Sequence, residues 1–256
     1  MLSVTRKAAL TLYFWTGVVI ATALTGIAYC CAKVLSPWNQ LISEHDLITY
    51  IIENIMAQII LLWMTTPGFW KIEYSTLGRL HGKAPRDSDG PFLLAANHNS
   101  LIDTLFISDL NYKKTYSYSS KWSFVPVFGW LCVLAGYISI DTTSPEKRAE
   151  VVPKVVNAIR NGYSVMVYPQ GTRSRTPNAK LYQSDVKTGA FRVAAETQCQ
   201  ILPIAIRGSD KIVSRRGVVD CGTVDIIYCD PISGDNPIKL LNEWIDIINR
   251  ALRAEH

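Results

Sequence analysis

An uncharged, apolar stretch at residues 8–32, directly after Arg6 and Lys7, constrains this chain more than any other feature. About 20 apolar residues are enough for a helix to cross the hydrocarbon core of a bilayer. A secretory signal peptide also begins with basic residues, but this stretch is longer than a signal core and reaches Lys33 without a typical cleavage site. The pattern therefore predicts an uncleaved membrane anchor. Basic residues flank the stretch at both ends, so the positive-inside rule assigns no orientation.

A second apolar segment covers residues 47–63 and is interrupted by Glu53, Asn54 and Gln58. On a helix these polar residues lie roughly on one face, with apolar residues on the other. Because a charged residue in mid-span is costly in hydrocarbon, the segment predicts an interfacial amphipathic helix or a hairpin that dips into one leaflet. A second full span stays open, because hydropathy separates these cases poorly. Residues 1–70 are thus predicted to form a pair of membrane-seating helices.

Composition agrees with a membrane-associated chain, since 48% of the residues are hydrophobic and only 18% are charged. The net charge of +5 favours an anionic surface or substrate, whereas no dense basic run predicts nucleic-acid binding. The six cysteines have no zinc-like spacing, so no metal is expected, and reduced thiols fit a domain that faces the cytoplasm. The histidines predicted to lie on the surface are His45, His81 and His256.

From residue 71 onward, short apolar runs alternate with helical patterns, which predicts an α/β domain over residues 71–256. One helix is expected to begin after Ser144 as N-cap and to end at Gly162. The other predicted helices cover residues 101–110, 189–196 and 238–251. The predicted strands cover residues 92–96, 115–119, 137–140, 164–168 and 201–206, with one or two more within 218–229.

A histidine stands between the first of these strands and the helix that follows it. Neutral imidazole takes up a proton near neutral pH, and a carboxylate on its other nitrogen fixes the tautomer, so His98 and Asp103 could form a catalytic pair. This needs His98 on the turn and Asp103 in the first helical turn. The same residues also fit an ordinary helix start, with Ser100 as N-cap and Asp103 favourable to the helix dipole.

A polar loop follows the predicted strand at residues 164–168. Gly171 allows a tight turn, and Arg173, Arg175 and the loop amides suit a phosphate group. A plain solvated loop has the same composition. Further upstream, Lys121 precedes an apolar, aromatic run at residues 122–130, which predicts a core segment, with binding of an acyl chain as the alternative.

Five blocks stand in this order along the chain: His98 to Asp103, Lys121 to Trp130, and residues 136–141, 168–174 and 201–206. Together they resemble the glycerolipid acyltransferases, and within that family most of all the 1-acylglycerol-3-phosphate (lysophosphatidate) acyltransferases. The similarity covers about residues 91–208, and the N-terminal hydrophobic pair resembles the membrane-seating helices of that family.

This resemblance implies a mixed sheet flanked by helices, with a groove for the acyl chain. It implies that His98 deprotonates the acceptor hydroxyl, that Asp103 orients His98, and that Arg173 recognises a phosphate group. The implied substrate-binding residues are Lys121, Gln170, Gly171, Thr172, Arg173 and Ser174.

The implied reaction moves a fatty acyl group from acyl-CoA or an acyl-carrier protein directly to the hydroxyl of a lysophospholipid, with no cofactor. Amides near the His98 turn or in the Gly171 loop would stabilise the oxyanion. A covalent acyl-enzyme is disfavoured, because the Gly-x-Ser-x-Gly elbow is absent from the sequence. The implied location is a cytoplasmic or inner membrane, with the bilayer as partner and the catalytic domain facing the cytoplasm.

Two positions depart from the family pattern. Gln170 stands where the family usually has Glu, and Thr142 stands where it often has Arg. Both changes affect acceptor recognition, so the same chemistry on another lysolipid or an amino-lipid is an alternative. A catalytically silent membrane-binding protein is a third possibility, against which the intact pair His98 and Asp103 argues.

Overall fold

The computed structural model describes residues 4–35, 57–77, 90–107, 110, 113–125, 128–141 and 143–254. Within these residues the strands form one seven-stranded sheet, in the order β1-β7-β6-β2-β5-β3-β4. Only β6 and β7 pair antiparallel, so the sheet is mixed, as expected. The strands are β1 Trp70–Leu77, β2 Phe92–Ala96, β3 Lys114–Ser119, β4 Ile138–Ile140, β5 Ser164–Val167, β6 Gln200–Arg207 and β7 Gly222–Cys229.

Helices flank the sheet, and buried apolar residues form a core cluster on each of its faces. Neighbouring residues of one strand point to opposite faces, so Leu94 belongs to one cluster and Leu93 to the other. The helices are α1 Val4–Leu35, α2 Ala57–Thr65, α3 Asp103–Ile107, α4 Phe128–Leu134, α5 Pro145–Ala149, α6 Val151–Arg160, α7 Gly189–Thr197, α8 Ser209–Ile212 and α9 Pro237–Arg253. Two 3-10 turns are η1 Ser120–Phe124 and η2 Gln183–Asp185.

Most predicted elements are present, and two helices differ from the prediction in extent. The predicted helix at residues 101–110 is shorter, because α3 begins only at Asp103 and residues 108–109 lie outside the described part of the chain. The helix predicted after Ser144 is split into α5 and α6 at Glu150, since Pro153 has no N–H to donate to the carbonyl of Ala149. Residues 218–229 contribute one strand, β7.

Helix α1 packs directly onto the chain segment that precedes β7. Phe14 is buried, and the indole N–H of Trp15 donates to the carbonyl of Gly217 at 2.9 Å. Lys7 forms an ion pair with Asp220 at 2.7 Å, and this contact lowers the pKa of the Asp220 carboxyl. The window Val4–Ala28 of α1 is also long and apolar enough to cross a membrane, by length and composition alone.

Only part of the second predicted membrane segment can be described, because residues 47–56 lie outside the described residues. The remainder falls in α2, which packs against α1. Trp63 and Tyr13 exchange two hydrogen bonds of 3.1 Å, each from a side chain to the other residue's carbonyl, and their rings stack at 4.8 Å. Gly17 faces the Trp63 indole, where a Cβ would collide with the ring.

In the described part of the apolar run at residues 122–130, most side chains are exposed, contrary to the predicted core segment. Phe124 is 87% exposed and Trp130 is 62% exposed. The difference arises because α4 buries only one of its sides, through Leu131 and Cys132 among others, so the opposite side of this short helix points outward.

Gly17→Ala is expected to loosen the packing of α1 on α2, because the new methyl group must displace an indole that is held by hydrogen bonds and stacking. Gly26→Ala is the matched control, since a Cβ at Gly26 meets no atom within 4 Å. Alanine favours a helix over glycine by about 1 kcal/mol, so the control should be neutral or slightly stabilising. Thermal unfolding in detergent is the measurement, and equal melting temperatures for the two variants would contradict the packing described here.

Candidate active site

The site lies at one edge of the sheet, which we call the carboxyl edge, where β2, β5, β3 and β6 end and β1 and β7 begin. Because β2 and β5 are parallel neighbours, the turn after β2 and the loop after β5 meet there. The backbone N–H of Ser174 donates to the carbonyl of His98 at 2.7 Å. The backbone N–H of His98 donates to Oε1 of Gln170 at 2.8 Å. Two short polar contacts thus join the His98 turn to the Gly171 loop.

The side chain of Asn97 continues the hydrogen-bond ladder of the sheet beyond the end of β2. Its Nδ2 donates to the carbonyl of Ile206 at 2.8 Å, and its Oδ1 accepts the N–H of Ile206 at 2.7 Å. Asn99 adds a second bond to the same carbonyl at 3.0 Å. Sequence reasoning assigned no role to these two asparagines, although amide side chains at a strand end can mimic a peptide group.

One carboxylate oxygen organises the turn. Oδ2 of Asp103 accepts the backbone N–H groups of Asn99 at 2.7 Å and Ser100 at 2.8 Å, and it lies 2.8 Å from Nδ1 of His98. The two interpretations of this stretch therefore combine, because Asp103 both shapes the helix start and contacts the imidazole. The Ser100 hydroxyl does not cap the helix, since it donates to the carbonyl of Val213 at 2.7 Å, so only the Asp103 half of the capping box is present.

This geometry fixes the tautomer of the imidazole. A carboxylate can only accept hydrogen bonds, so in the neutral imidazole Nδ1 of His98 carries the hydrogen and Nε2 has the lone pair. The Asp103 side chain is fully buried, whereas that of His98 is 18% exposed. The base is therefore within reach of a ligand while its partner is sealed from water.

Tyr168 fixes the plane of the imidazole, a role that sequence reasoning did not assign. The two rings stack with centroids 4.0 Å apart and an angle of 19° between their planes. The hydroxyl of Tyr168 lies 3.0 Å from Oγ1 of Thr104. Burial, together with the negative charge of Asp103, raises the pKa of Tyr168 well above its usual value. The phenol stays protonated at physiological pH and keeps its bond to Thr104.

Two arginines lie side by side next to the His98 turn. Arg173 donates to the carbonyl of Arg215 at 3.2 Å, and Arg215 donates to the carbonyl of Arg173 at 3.0 Å. Partial burial and the charge of Arg215 lower the pKa of Arg173. Neither guanidinium forms an ion pair with a carboxylate of the described residues, so together they suit an anionic ligand. Arg215 is 42 residues from Arg173 in sequence, and the dipeptide Arg215-Arg216 is the only sequence signal for a role at this site.

The other residues predicted to bind substrate in the Gly171 loop differ from one another in burial and in hydrogen bonding. Gln170 is buried and holds the His98 turn in place. Gly171 has a φ of +70°, which only glycine adopts readily, and Thr172 beside it is exposed. The hydroxyl of Ser174 accepts the backbone N–H of Thr176 at 3.2 Å.

Of the two remaining positions, Lys121 and Thr142, only Lys121 lies in the described part of the chain. Lys121 is exposed on η1, and no hydrogen bond or ion pair within the described residues joins it to the His98 turn or to the Gly171 loop. Thr142 lies outside the described residues. No group of three or more His, Cys, Asp or Glu side chains in the described part of the chain is placed to hold a metal ion.

A sequence model of the acyltransferase family matches residues 78–207, about half of the chain. The chloroplastic 1-acyl-sn-glycerol-3-phosphate acyltransferase of Arabidopsis thaliana is 29% identical over 179 residues, which are 68% of this chain and 47% of that protein. The enzyme of the same name from Saccharomyces cerevisiae is 26% identical over 237 residues, which are 89% of this chain and 72% of the relative. The chain thus spans about half the length of some curated relatives.

The crystal structure of the 1-acyl-sn-glycerophosphate acyltransferase from Thermotoga maritima superimposes with a TM-score of 0.74 at 18% identity. The match covers 97% of this chain and 95% of that one. At this level of identity the likeness establishes the fold.

Gln170→Leu is expected to lower the free energy of unfolding by about 1–3 kcal/mol, because the N–H of His98 would lose its acceptor in a largely buried setting. Gln170→Glu should restore most of that loss, since a carboxylate oxygen can accept the same bond. Urea unfolding is the measurement, with the exposed Gln183→Leu as the matched control. If the Gln170→Leu variant is as stable as this control, the hydrogen bond between the His98 N–H and Gln170 does not stabilise the turn.

Proposed function

The chain belongs to the acyltransferase family, and we propose that it moves a fatty acyl group from an acyl thioester to the free hydroxyl of 1-acylglycerol-3-phosphate, giving phosphatidate. The names of its relatives suggest this acceptor. The single observation that carries the proposal is the contact of 2.8 Å between Nδ1 of His98 and the buried carboxylate of Asp103, which leaves Nε2 free to act as a base.

In the proposed reaction, Nε2 of His98 takes the proton of the acceptor hydroxyl while the hydroxyl oxygen attacks the thioester carbonyl. The carbonyl oxygen becomes negatively charged in a tetrahedral intermediate. The intermediate then collapses, the carbon–sulfur bond breaks, and the imidazolium returns its proton to the leaving thiolate. Asp103 stabilises the imidazolium between these two transfers, and the Tyr168 ring holds it in plane.

The amides left to stabilise the oxyanion are in the Gly171 loop. The N–H groups of Asn99 and Ser100 are bound to Asp103, and that of His98 is bound to Gln170. By contrast, the N–H groups of Thr172 and Arg173 form no hydrogen bond with any residue that the structure describes. These two amides are the proposed donors to the developing oxyanion.

The phosphate of the acceptor is proposed to bind Arg173 and Arg215. Their guanidinium groups are close together and lack a carboxylate partner among the described residues, so an anionic ligand would relieve the repulsion between them. Lys121, at the carboxyl end of β3, is proposed as a further cation for the substrates. Acyl-CoA and an acyl-carrier protein both remain proposed donors.

The replacement of the family's usual Glu by Gln170 gives no specific support for another acceptor. The side chain of Gln170 holds the His98 turn, and its amide oxygen Oε1 does not face a ligand. An acceptor other than 1-acylglycerol-3-phosphate is therefore an outcome of the experiment below. The proposed location is a membrane, where α1 anchors the chain and residues 71–256 face the cytoplasm.

His98→Ala should lower kcat by about 10²–10⁴-fold with lysophosphatidate and a long-chain acyl-CoA, because the general base is lost. Asp103→Asn should have an effect of similar size, since a neutral amide no longer stabilises the imidazolium. Thiol release and phosphatidate formation are the measurements. Asp246→Asn, an exposed position on α9, is the control and should retain wild-type turnover.

Two outcomes would overturn the proposal. If the wild-type protein turns over only other lysolipids or amino-lipids, the acceptor is wrong. If it is inert with every acceptor, the chain is a silent membrane-binding protein.

Arg173→Ala and Arg215→Ala are each expected to raise KM for lysophosphatidate by about 10- to 100-fold with a small change in kcat, because each removes a charge-assisted bond to phosphate. Arg160→Ala on α6 is the control, since Arg160 pairs with Glu196 on the surface. Initial rates over a range of acceptor concentrations give both constants. An unchanged KM would remove that arginine from phosphate binding.

A further inference from the structure

A cluster of exposed apolar side chains lies on η1 and α4. Of the ten large apolar or aromatic side chains that are exposed outside α1 and α2 in the described part of the chain, five fall within this short segment. We call them the aromatic patch: Trp122 (38% exposed), Phe124 (87%), Val125 (36%), Trp130 (62%) and Val133 (62%). Exposed apolar side chains that are concentrated in one short segment are typical of an interaction surface.

Backbone contacts join the two parts of the aromatic patch. The N–H of Gly129 donates to the carbonyl of Val125 at 2.8 Å, and the N–H of Val125 donates to the carbonyl of Trp122 at 3.0 Å. A Cβ at Gly129 would collide with the main chain of Ser123 and Trp122. Helix α4 therefore rests directly on the main chain of η1, and the exposed rings project from a fixed frame.

The aromatic patch and α1 lie on opposite flanks of His98. Turn η1 leaves the carboxyl end of β3, which ends at the same edge of the sheet as β2. Helix α1 docks on the segment before β7, which begins at that edge on the other flank. The free side of α1 is apolar too, with exposed Leu12, Val19 and Ile27. Two apolar surfaces therefore bracket the imidazole.

We propose that the aromatic patch is a second membrane contact, which inserts into the headgroup region of a bilayer and, together with α1, turns the carboxyl edge toward the lipid. This inference rests on the proposed function, because a lipid acceptor must reach His98 from a bilayer. Tryptophan favours the membrane interface, and Lys121, exposed on η1, adds attraction to anionic lipid. A carrier protein rich in acidic groups would call for a cationic surface, whereas Lys121 is the single charged residue of positions 120–134.

Photo-crosslinking tests this contact without turnover. The full chain carrying Phe124→benzoylphenylalanine is bound to phosphatidylcholine vesicles, with and without phosphatidylglycerol, and irradiated. The matched control is Tyr182→benzoylphenylalanine, because Tyr182 is 57% exposed at the N-cap of η2. Any binding through α1 is the same in both proteins. Lipid adducts at position 124 well above those at 182 are the expected result, with more adducts when anionic lipid is present.

Equal adducts at the two positions would overturn the proposal. So would adducts to protein in place of lipid at position 124, since a second copy of the chain or another protein would then cover the aromatic patch. These results do not depend on the acceptor, so they are separate from a failure of the proposed function.

Kinetics supply the functional measurement. The double variant Phe124→Ser, Trp130→Ser should raise KM for a long-chain acceptor presented in vesicles by about tenfold or more, because burial of the two rings is lost. KM for a short-chain, water-soluble acceptor should stay unchanged, as should both constants in Tyr182→Ser. A parallel rise of KM for both acceptors would show damage to the site itself and would overturn the membrane role.

Discussion

The local structure of the site depends on the hydrogen bonds received by one atom, Oδ2 of Asp103. Two backbone amides and the imidazole converge on this oxygen, which lies in a fully buried side chain. The amides bind the turn to the first residue of α3, so the residue that orients His98 also builds the helix start behind it. Loss of that oxygen would disturb backbone and base together. Charge and geometry at the site are consequently set by the same short segment of chain.

The mixed sheet explains how distant residues meet at this segment. Parallel strands β2, β5 and β3 deliver the His98 turn, the Gly171 loop and η1 to one edge. Because β7 alone pairs antiparallel with β6, the segment that leads into β7 arrives at the same edge. That segment carries Arg215 and receives α1 through Gly217 and Asp220. A single reversal of strand direction thus joins the second arginine and the N-terminal helix to the site.

Local pattern was sufficient for the strand before His98 and for the alternation of strands and helices. These features depend on neighbours in sequence, where periodicity and turn chemistry act directly. Local pattern left the pairing of His98 with Asp103 open beside an ordinary helix start, and the resemblance to the family favoured the pair. The stacking of Tyr168 and the position of Arg215 depend on which strands are neighbours, and no local pattern encodes that. Gln170 was predicted to contact the acceptor, and sequence reasoning did not foresee its bond to the His98 amide, because that contact depends on the pairing of β2 with β5. The run at residues 122–130 was expected to be core because apolar composition favours burial in water, whereas Trp122, Phe124, Val125 and Trp130 are exposed.

The amide side chain of Asn97 has a consequence for where the main chain leaves the sheet. Donor and acceptor of that amide match both peptide groups of Ile206, so β6 keeps a complete set of partners after the backbone of β2 has turned away. The side chain of Asn97 therefore fixes the position at which the chain leaves β2, where a strand end would otherwise fray. Because His98 directly follows Asn97, no loop has to fold around the ligand to position its imidazole. The conformational entropy of ordering the base is therefore lost when the protein folds and not in each catalytic cycle.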